Sequence, residues 1–429
     1  MRIAWAHAHR NLQNKTQNSQ EKRKKMSDVD TLSIDTLDVS SPVLFQEDRW
    51  APYFKKLREE RPVHYCPSSP CGPYWSITRF ADIQAVELDP ATFSSDSRRG
   101  GIRIDNRLRE SFISSDPPRH TIERKTIAPV ASPTNLASYE PIIRDRTRQL
   151  IASLPRGETF DWAGKVSSEL TVMMLATLFD FPIKERHLLS FWSDALICDY
   201  AAPNAPVTSD AQREKILYQM ADAFTSLWRE RVAQEPKLDL ISMMAHNPAM
   251  RDMPEAQFIG NLVLLLVGGY DTTKNSMSGG ILALSKHPEQ WRKVRENPSL
   301  VPNLVGEVIR YQTPITHMCR TATREVDLNG ERIKEGDRVV LWYVSANRDA
   351  SAIEKPDEFL VDRAKANNHL SFGAGIHRCV GDRLATLQLR ILWEEILRQD
   401  LVIDVVEKPK RQYSNFIRGF DELRVRVQK

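Results

Sequence analysis

Phe372, Gly375, Cys379 and Gly381 form the skeleton Phe-x-x-Gly-x-x-x-Cys-x-Gly, which points to chemistry at sulfur. At this composition, chance would produce the skeleton in only about 3 of 10,000 chains. Glycines let a loop take backbone angles closed to other residues and approach a flat ligand closely. A helical pattern from Asp382 to Arg390 follows directly, which puts Cys379 at a helix start. Unpaired N–H groups and the positive end of the helix dipole favour a thiolate there. A lone cysteine is usually a small buried hydrophobe, but such a cysteine has no need of this loop. A thiolate that binds metal explains it better. Hydrolytic catalysis does not, because His377 is only two residues away, too near to act as a positioned base without strain.

A second constellation is Gly268-Gly269-Tyr270-Asp271-Thr272-Thr273. The stretch from Pro254 to about Lys286 has no internal proline and predicts one helix of about 48 Å. Asp252 is its expected cap, with Glu255 in the first turn. Two interior glycines cost about 2 kcal/mol relative to alanine. A helix ending at Gly268 would avoid that cost, yet apolar spacing resumes at Met277, Ile281 and Leu284. An opened groove accounts for both facts. Gly268 and Gly269 leave room for a ligand, and the Thr272 hydroxyl bonds the loosened carbonyl four residues back. Leu264, Val267, Gly268 and Thr272 share one face by i, i+3/i+4 spacing. An acid and an alcohol in an apolar groove suit proton delivery, with Asp271 relaying and Thr272 donating the hydrogen bond.

The elements that must position these groups are mostly helices. Residues 43–62 predict a short helix, Val63–Thr78 a hairpin, and most of the chain from about residue 80 a helical period. A strand-like patch spans Glu325–Val344 with an Asn329-Gly330 turn, and Val402–Val427 alternates. The fold class is therefore mostly α with small β-sheets (α+β). Five cysteines, Cys66, Cys71, Cys198, Cys319 and Cys379, give no disulfide framework and no zinc pattern, so a reducing cytoplasm is expected. Peripheral membrane contact for substrate access is compatible with that, although no apolar run approaches the ~18 residues of a transmembrane span. The net charge of +4 comes from the first 25 residues, which hold seven Lys/Arg and one acid. The remaining 53 basic and 55 acidic residues give no reason to expect a nucleic-acid partner. Residues 1–26 are expected to be a basic, disordered extension without the apolar region of a secretory signal, and 27–429 a single domain.

The Cys379 loop resembles the haem loop of the cytochrome P-450 superfamily, and the Gly268–Thr272 stretch resembles its oxygen-activating motif, Ala/Gly-Gly-x-Asp/Glu-Thr. Glu307-Val308-Ile309-Arg310, with Asn347-Arg348-Asp349 and Phe359 to Arg363, is similar to the structural Glu–Arg–Arg network behind that loop. The resemblance covers roughly 45–429. It implies the P-450 fold, with haem b (iron protoporphyrin IX) between a long central helix and the Cys-bearing loop. Cys379 would be the iron ligand, with Phe372 and Gly268 against the haem and His120, Arg124, Arg320 and His377 serving its propionates. Buried carboxylates need such cations or donors. Asp116 is the expected cap of a helix presenting His120 and Arg124 at i, i+4.

A haem thiolate favours O–O cleavage, so the implied activity is a monooxygenase using O₂ on a hydrophobic small molecule. Gly268–Met277, His369–Gly373, Leu387–Glu395 and Ser414–Gly419 resemble one soluble bacterial class, the terminal hydroxylases of n-alkanes and fatty acids. That class usually has Asn where Tyr270 stands and Phe where Ala374 stands. The resemblance implies terminal attack on medium-chain n-alkanes or fatty acids, in a pocket walled by Leu264, Val267, Ile315, Met318, Phe416 and Ile417. Electrons would come from a ferredoxin and ferredoxin reductase, an acidic ferredoxin docking on Arg119, Lys125, Arg378 and Arg383. The alternatives are a terpenoid or steroid hydroxylase of the same fold, or a haem-based gas-sensing or binding protein. The acid–alcohol pair argues against the last.

Overall fold

The computed structural model describes Val29 and residues 31–105 and 110–428, so the expected extension over 1–26 lies outside the described residues. Alternating apolar residues pair Val63–Cys66 with Tyr74–Ile77 as the expected antiparallel hairpin. Arg338–Leu341 joins the second strand in parallel, and Met318–Ala322 and Phe93–Ser94 complete a five-stranded sheet. Asn329 and Gly330 both take positive φ, 55° and 83°, in the tight turn joining Val326–Leu328 to Glu331–Ile333. A three-stranded sheet joins Thr159–Asp161, Arg424–Val427 and Ile403–Val405.

Helices fill most of the remainder. The central helix, Glu255–Lys286, runs unbroken through both glycines. Its first half packs Leu262, Leu266 and Tyr270 into one core, and Met277, Ile281 and Leu284 enter a second. The second core also takes residues from Val301–Gln312, which carries Glu307 and Arg310, and from Asp382–Arg398, the helix that follows the Cys379 loop. No helix among the described residues is long and apolar enough to cross a membrane.

Two caps differ from expectation. Asp252 is exposed, and its nearest cation is Arg251 at 3.1 Å. The first accepting carbonyl belongs to Pro254, so Asp252 stands too far upstream to reach the helix N–H groups. Helix Arg119–Ile127 likewise has no side-chain cap. Asp116 accepts from Ser94 Oγ at 2.5 Å and the Ser95 N–H at 2.9 Å, tying the helix entrance to the sheet.

Candidate active site

The Cys379 loop is anchored from behind by buried charge. Glu307 and Arg310, one turn apart, share two bonds of 2.7 Å, and Arg363 Nε adds a third at 2.9 Å. Burial pushes the Glu307 carboxyl up, but the two guanidiniums outweigh it and hold it below the usual range. Arg348 contributes differently, donating to the carbonyls of Pro356 and Tyr311. Arg310 also reaches the Asn347 carbonyl at 2.8 Å. Asn347 then accepts from the Leu370 N–H and donates to Ser371 Oγ, each at 2.8 Å, where the loop begins.

Gly375 has φ +62°, and a Cβ there would lie 2.4 Å from the Glu87 carbonyl. Glycine is therefore required by the backbone angle and by the helix Phe80–Leu88 packed against the loop. Glu87 itself is buried, accepting from the Ala374 N–H at 2.5 Å and the Tyr343 hydroxyl, with Arg320 at 3.6 Å. Burial pushes its carboxyl up, opposed by the Arg320 charge and by those two donors. The Cys379 N–H closes the loop on the Phe372 carbonyl at 2.8 Å, and Cys379 lines a cavity of about 270 Å³. Cys379 is exposed at the cavity; the enclosing protein and Asp382 oppose its thiolate, whereas the Gly381 N–H, Arg124 and Arg378 favour it. A coordinating metal would take the proton's place.

Across the cavity stands the central helix, with Leu264, Val267, Gly268 and Thr272 in the wall as their shared face requires. A Cβ on Gly268 would meet nothing within 4 Å. Gly269 differs: a Cβ there would come 2.8 Å from Leu175, so this glycine also admits the helix Glu169–Phe179. Thr272 donates its hydroxyl hydrogen to the Gly268 carbonyl at 2.7 Å. That leaves an acceptor oxygen for the cavity, where a donor was expected.

Asp271 departs furthest from expectation. One residue back means about 100° around the helix, and Asp271 is fully buried outside the cavity wall. It accepts from Ser193 Oγ at 2.8 Å on the helix His187–Ile197, and its Oδ1 has no partner. Burial pushes the carboxyl up to about 7 against the pull of Lys274. Lys274 is itself buried 3.7 Å from Asp194; Asp194, Tyr270 and Asp271 outweigh its burial and hold the ammonium above its usual range. Tyr270 shares a 2.7 Å bond with Ser168 and lies beneath the Lys274 ammonium at 4.8 Å, fixing this side of the helix.

His120 and His377 pack with ring centroids 4.1 Å apart, and all four ring nitrogens are buried without partners. Burial, with Arg124 and Arg320, holds His120 down to about 4, and burial with Arg320, His120 and Arg124 holds His377 far lower. Arg124, Arg320 and His377 line the cavity with Phe372 and Cys379. His120 stands behind His377, outside the cavity wall; each neutral imidazole donates from one nitrogen, and with two guanidiniums they make a donor set for carboxylates beside a single sulfur, which fits a haem with its two propionates.

Ile315, Met318 and Phe416 also line the cavity. Ile417 does not: neighbours on extended backbone face opposite ways, and Ile417 is buried outside the cavity wall, its backbone bridged to Ile315. The expected basic surface is partly neutralised. Arg119 pairs with Glu123 at 2.7 Å and with Glu110, and Arg378 pairs with Asp382 at 2.8 Å. Lys125 and Arg383 are exposed and have no ion pair among the described residues. Sequence reasoning missed Glu87, Ser193 and Arg103, each brought in by tertiary packing rather than by a local motif.

A family model described as Cytochrome P450 matches residues 205–416. Linalool 8-monooxygenase of Pseudomonas putida is 36% identical over 402 residues, covering 90% of this chain and 98% of that protein. Among solved structures, Cytochrome P450-153 from Novosphingobium aromaticivorans matches with a TM-score of 0.85 at 44% identity, covering 91% of this chain and 99% of that one. CYP153D17 from Sphingomonas sp. PAMC 26605 matches at 0.86 and 42% identity, covering 92% and 100%.

Proposed function

The chain belongs to the cytochrome P450 family as a haem-thiolate monooxygenase, and from that premise we propose that it hydroxylates the terminal carbon of medium-chain n-alkanes or fatty acids. Haem b supplies the difficult chemistry when bound, placing one atom of dioxygen in a C–H bond and the other in water. Cys379 would hold the iron through Sγ, and His120, Arg124, Arg320 and His377 would hold the propionates, with Phe372 on the sulfur side. Gly268 keeps the space beside Thr272 open, and the Thr272 oxygen, its hydrogen fixed on the backbone, would accept a hydrogen bond from a water there. Asp271 would carry protons from the Ser193 side of the helix, on a carboxyl that burial leaves able to exchange near neutral pH.

The observation that carries the substrate reading is the wall itself. Leu264, Val267, Ile315, Met318 and Phe416 line the cavity that also holds Cys379 and Thr272. Such a wall ranks ligands by apolar area, at about 0.8 kcal/mol per buried CH₂, and separates neighbouring chain lengths poorly. Terminal C–H bonds are the strongest of an alkyl chain, so attack there requires the chain to enter end-on. Reconstitution with a ferredoxin and its reductase, followed by chromatography, should give mainly ω-alcohols. Predominantly subterminal alcohols would overturn the reading. A terpenoid substrate is the second reading, favoured by the identity to Linalool 8-monooxygenase; turnover of terpenoids alone would establish it instead.

A further inference from the structure

Arg103 is a charged side chain of the cavity wall that the propionate-binding set does not use. Its side chain is 8% exposed, and its guanidinium lies 4.3 Å over the ring of Phe416, itself a wall residue. Asp105 accepts from Arg103 Nε at 2.8 Å and from Nη2. A guanidinium carries five N–H donors, so three remain, and no described residue accepts from them. Buried donors in proteins find acceptors. Arg103 belongs to the cavity wall, so a ligand in the cavity can supply one.

Arg103 also stands apart from the other cations. The arginines that bear on His120 and His377 are Arg124 and Arg320, whereas Arg103 bears on His317, whose ring lies 5.5 Å from that of Phe416. It therefore serves a different part of the cavity from the donors assigned to the cofactor. Its charge is already matched by Asp105, so a carboxylate arriving there would be a second anion on one guanidinium. A neutral oxygen meets no such repulsion.

We propose that Arg103 is a substrate-binding residue that donates to a neutral oxygen, whether hydroxyl, carbonyl or ester, at the trailing end of an otherwise apolar chain. The proposal rests on the terminal-hydroxylase reading and narrows it. With the oxygen on Arg103 and the methyl end between Thr272 and Cys379, the chain is held at both ends, and oxygenated chains bind in preference to plain alkanes.

The test is spectral titration of the haem-loaded enzyme with dodecane, lauryl alcohol, methyl laurate and lauric acid. Arg103→Met should raise the dissociation constants of the alcohol and the ester about tenfold and leave dodecane unchanged. Asp105→Asn, which frees the positive charge without removing the donor, should tighten lauric acid several-fold and leave dodecane unchanged. Equal changes for all four ligands, or none, would overturn the proposal, as would Arg103→Met weakening the acid most. Loss of the red-shifted Soret band of the reduced carbon monoxide complex in Arg103→Met would also overturn it, by making Arg103 a cofactor-holding residue. Product position tests the underlying reading separately. Subterminal products overturn terminal attack, whereas terminal products with binding indifferent to Arg103 overturn only this proposal.

Discussion

Behind Cys379, the buried Glu307 accepts from Arg310, Arg363 and the Leu360 N–H, while across the cavity the buried Asp271 has one carboxylate oxygen unmatched. The sulfur side connects Glu307 through Arg310 and Asn347 to the first residues of the loop, so that position of the backbone is determined several times over. On the groove side, the wall residues Leu264 and Val267 are apolar and Thr272 spends its proton on its own backbone. Saturated hydrogen bonding fixes a position, whereas an apolar wall with few polar groups fixes only a shape. The first suits a group that must hold one atom in one place. The second suits a groove that selects by length and polarity.

The most direct way to break this contrast is at sulfur. Cys379→Ser should abolish the red-shifted Soret band of the reduced carbon monoxide complex. An intact band would remove Cys379 as the iron ligand. Glu307→Gln comes next. It leaves Arg310 and Arg363 buried with their main anion gone, and breaking a buried pair on one side costs about 3–5 kcal/mol. Urea unfolding should show that loss in the midpoint. A change below about 1 kcal/mol, as for an exposed pair, would mean that the network does not set the loop.

The two sides also differed in how far they could be read from sequence. The Cys379 loop and the Gly268–Thr272 bond are local, spanning ten residues and five, so spacing alone located them. Glu87 was not legible, because nothing in Phe80–Leu88 signals that its last turn lies against Gly375. Arg103 was not legible either, since its role depends on Phe416 more than 300 residues away. Asp271 is a different case. Adjacent residues on a helix do not share a face, so placing Thr272 in the groove already implied that Asp271 turns elsewhere. The acid–alcohol motif obscured that geometry.

On the groove side, Thr272→Ala removes the acceptor oxygen and leaves the cavity open. Substrate-induced spectral changes should barely move, while product per NADH falls several-fold and peroxide rises. Unchanged coupling would assign proton delivery to another group. For Asp271 the sign follows from burial. Its folded pKa, about 7, lies above the ordinary aspartate value of about 3.9. Folding then favours the protonated acid, and this contribution is fully present at low pH and lost as pH rises through the folded value. Between about pH 4 and pH 7 the group lowers stability by at most about 1.4 kcal/mol per unit. Asp271→Asn should flatten that slope in urea titrations at several pH values. An unchanged slope would place the carboxyl in its ordinary range.

The smallest effects belong to the outer surface near the sulfur side, where charge is screened within about 10 Å at 0.1 M salt. If an acidic ferredoxin docks there, the cations that steer it are those with charge to spare. Arg119 and Arg378 already face Glu110, Glu123 and Asp382, so reversing either one mainly removes an existing pair. Lys125 and Arg383 carry exposed charge with no ion pair among the described residues, so reversing them changes the field that a partner meets. Lys125→Glu and Arg383→Glu should therefore slow reduction by an acidic ferredoxin a few-fold at low salt, more than Arg119→Glu or Arg378→Glu. The difference should vanish as salt rises. Stopped-flow reduction across ionic strengths measures it directly. Equal effects of all four reversals would show that local pairing does not decide which cations steer, and a salt-independent rate would move the docking surface elsewhere.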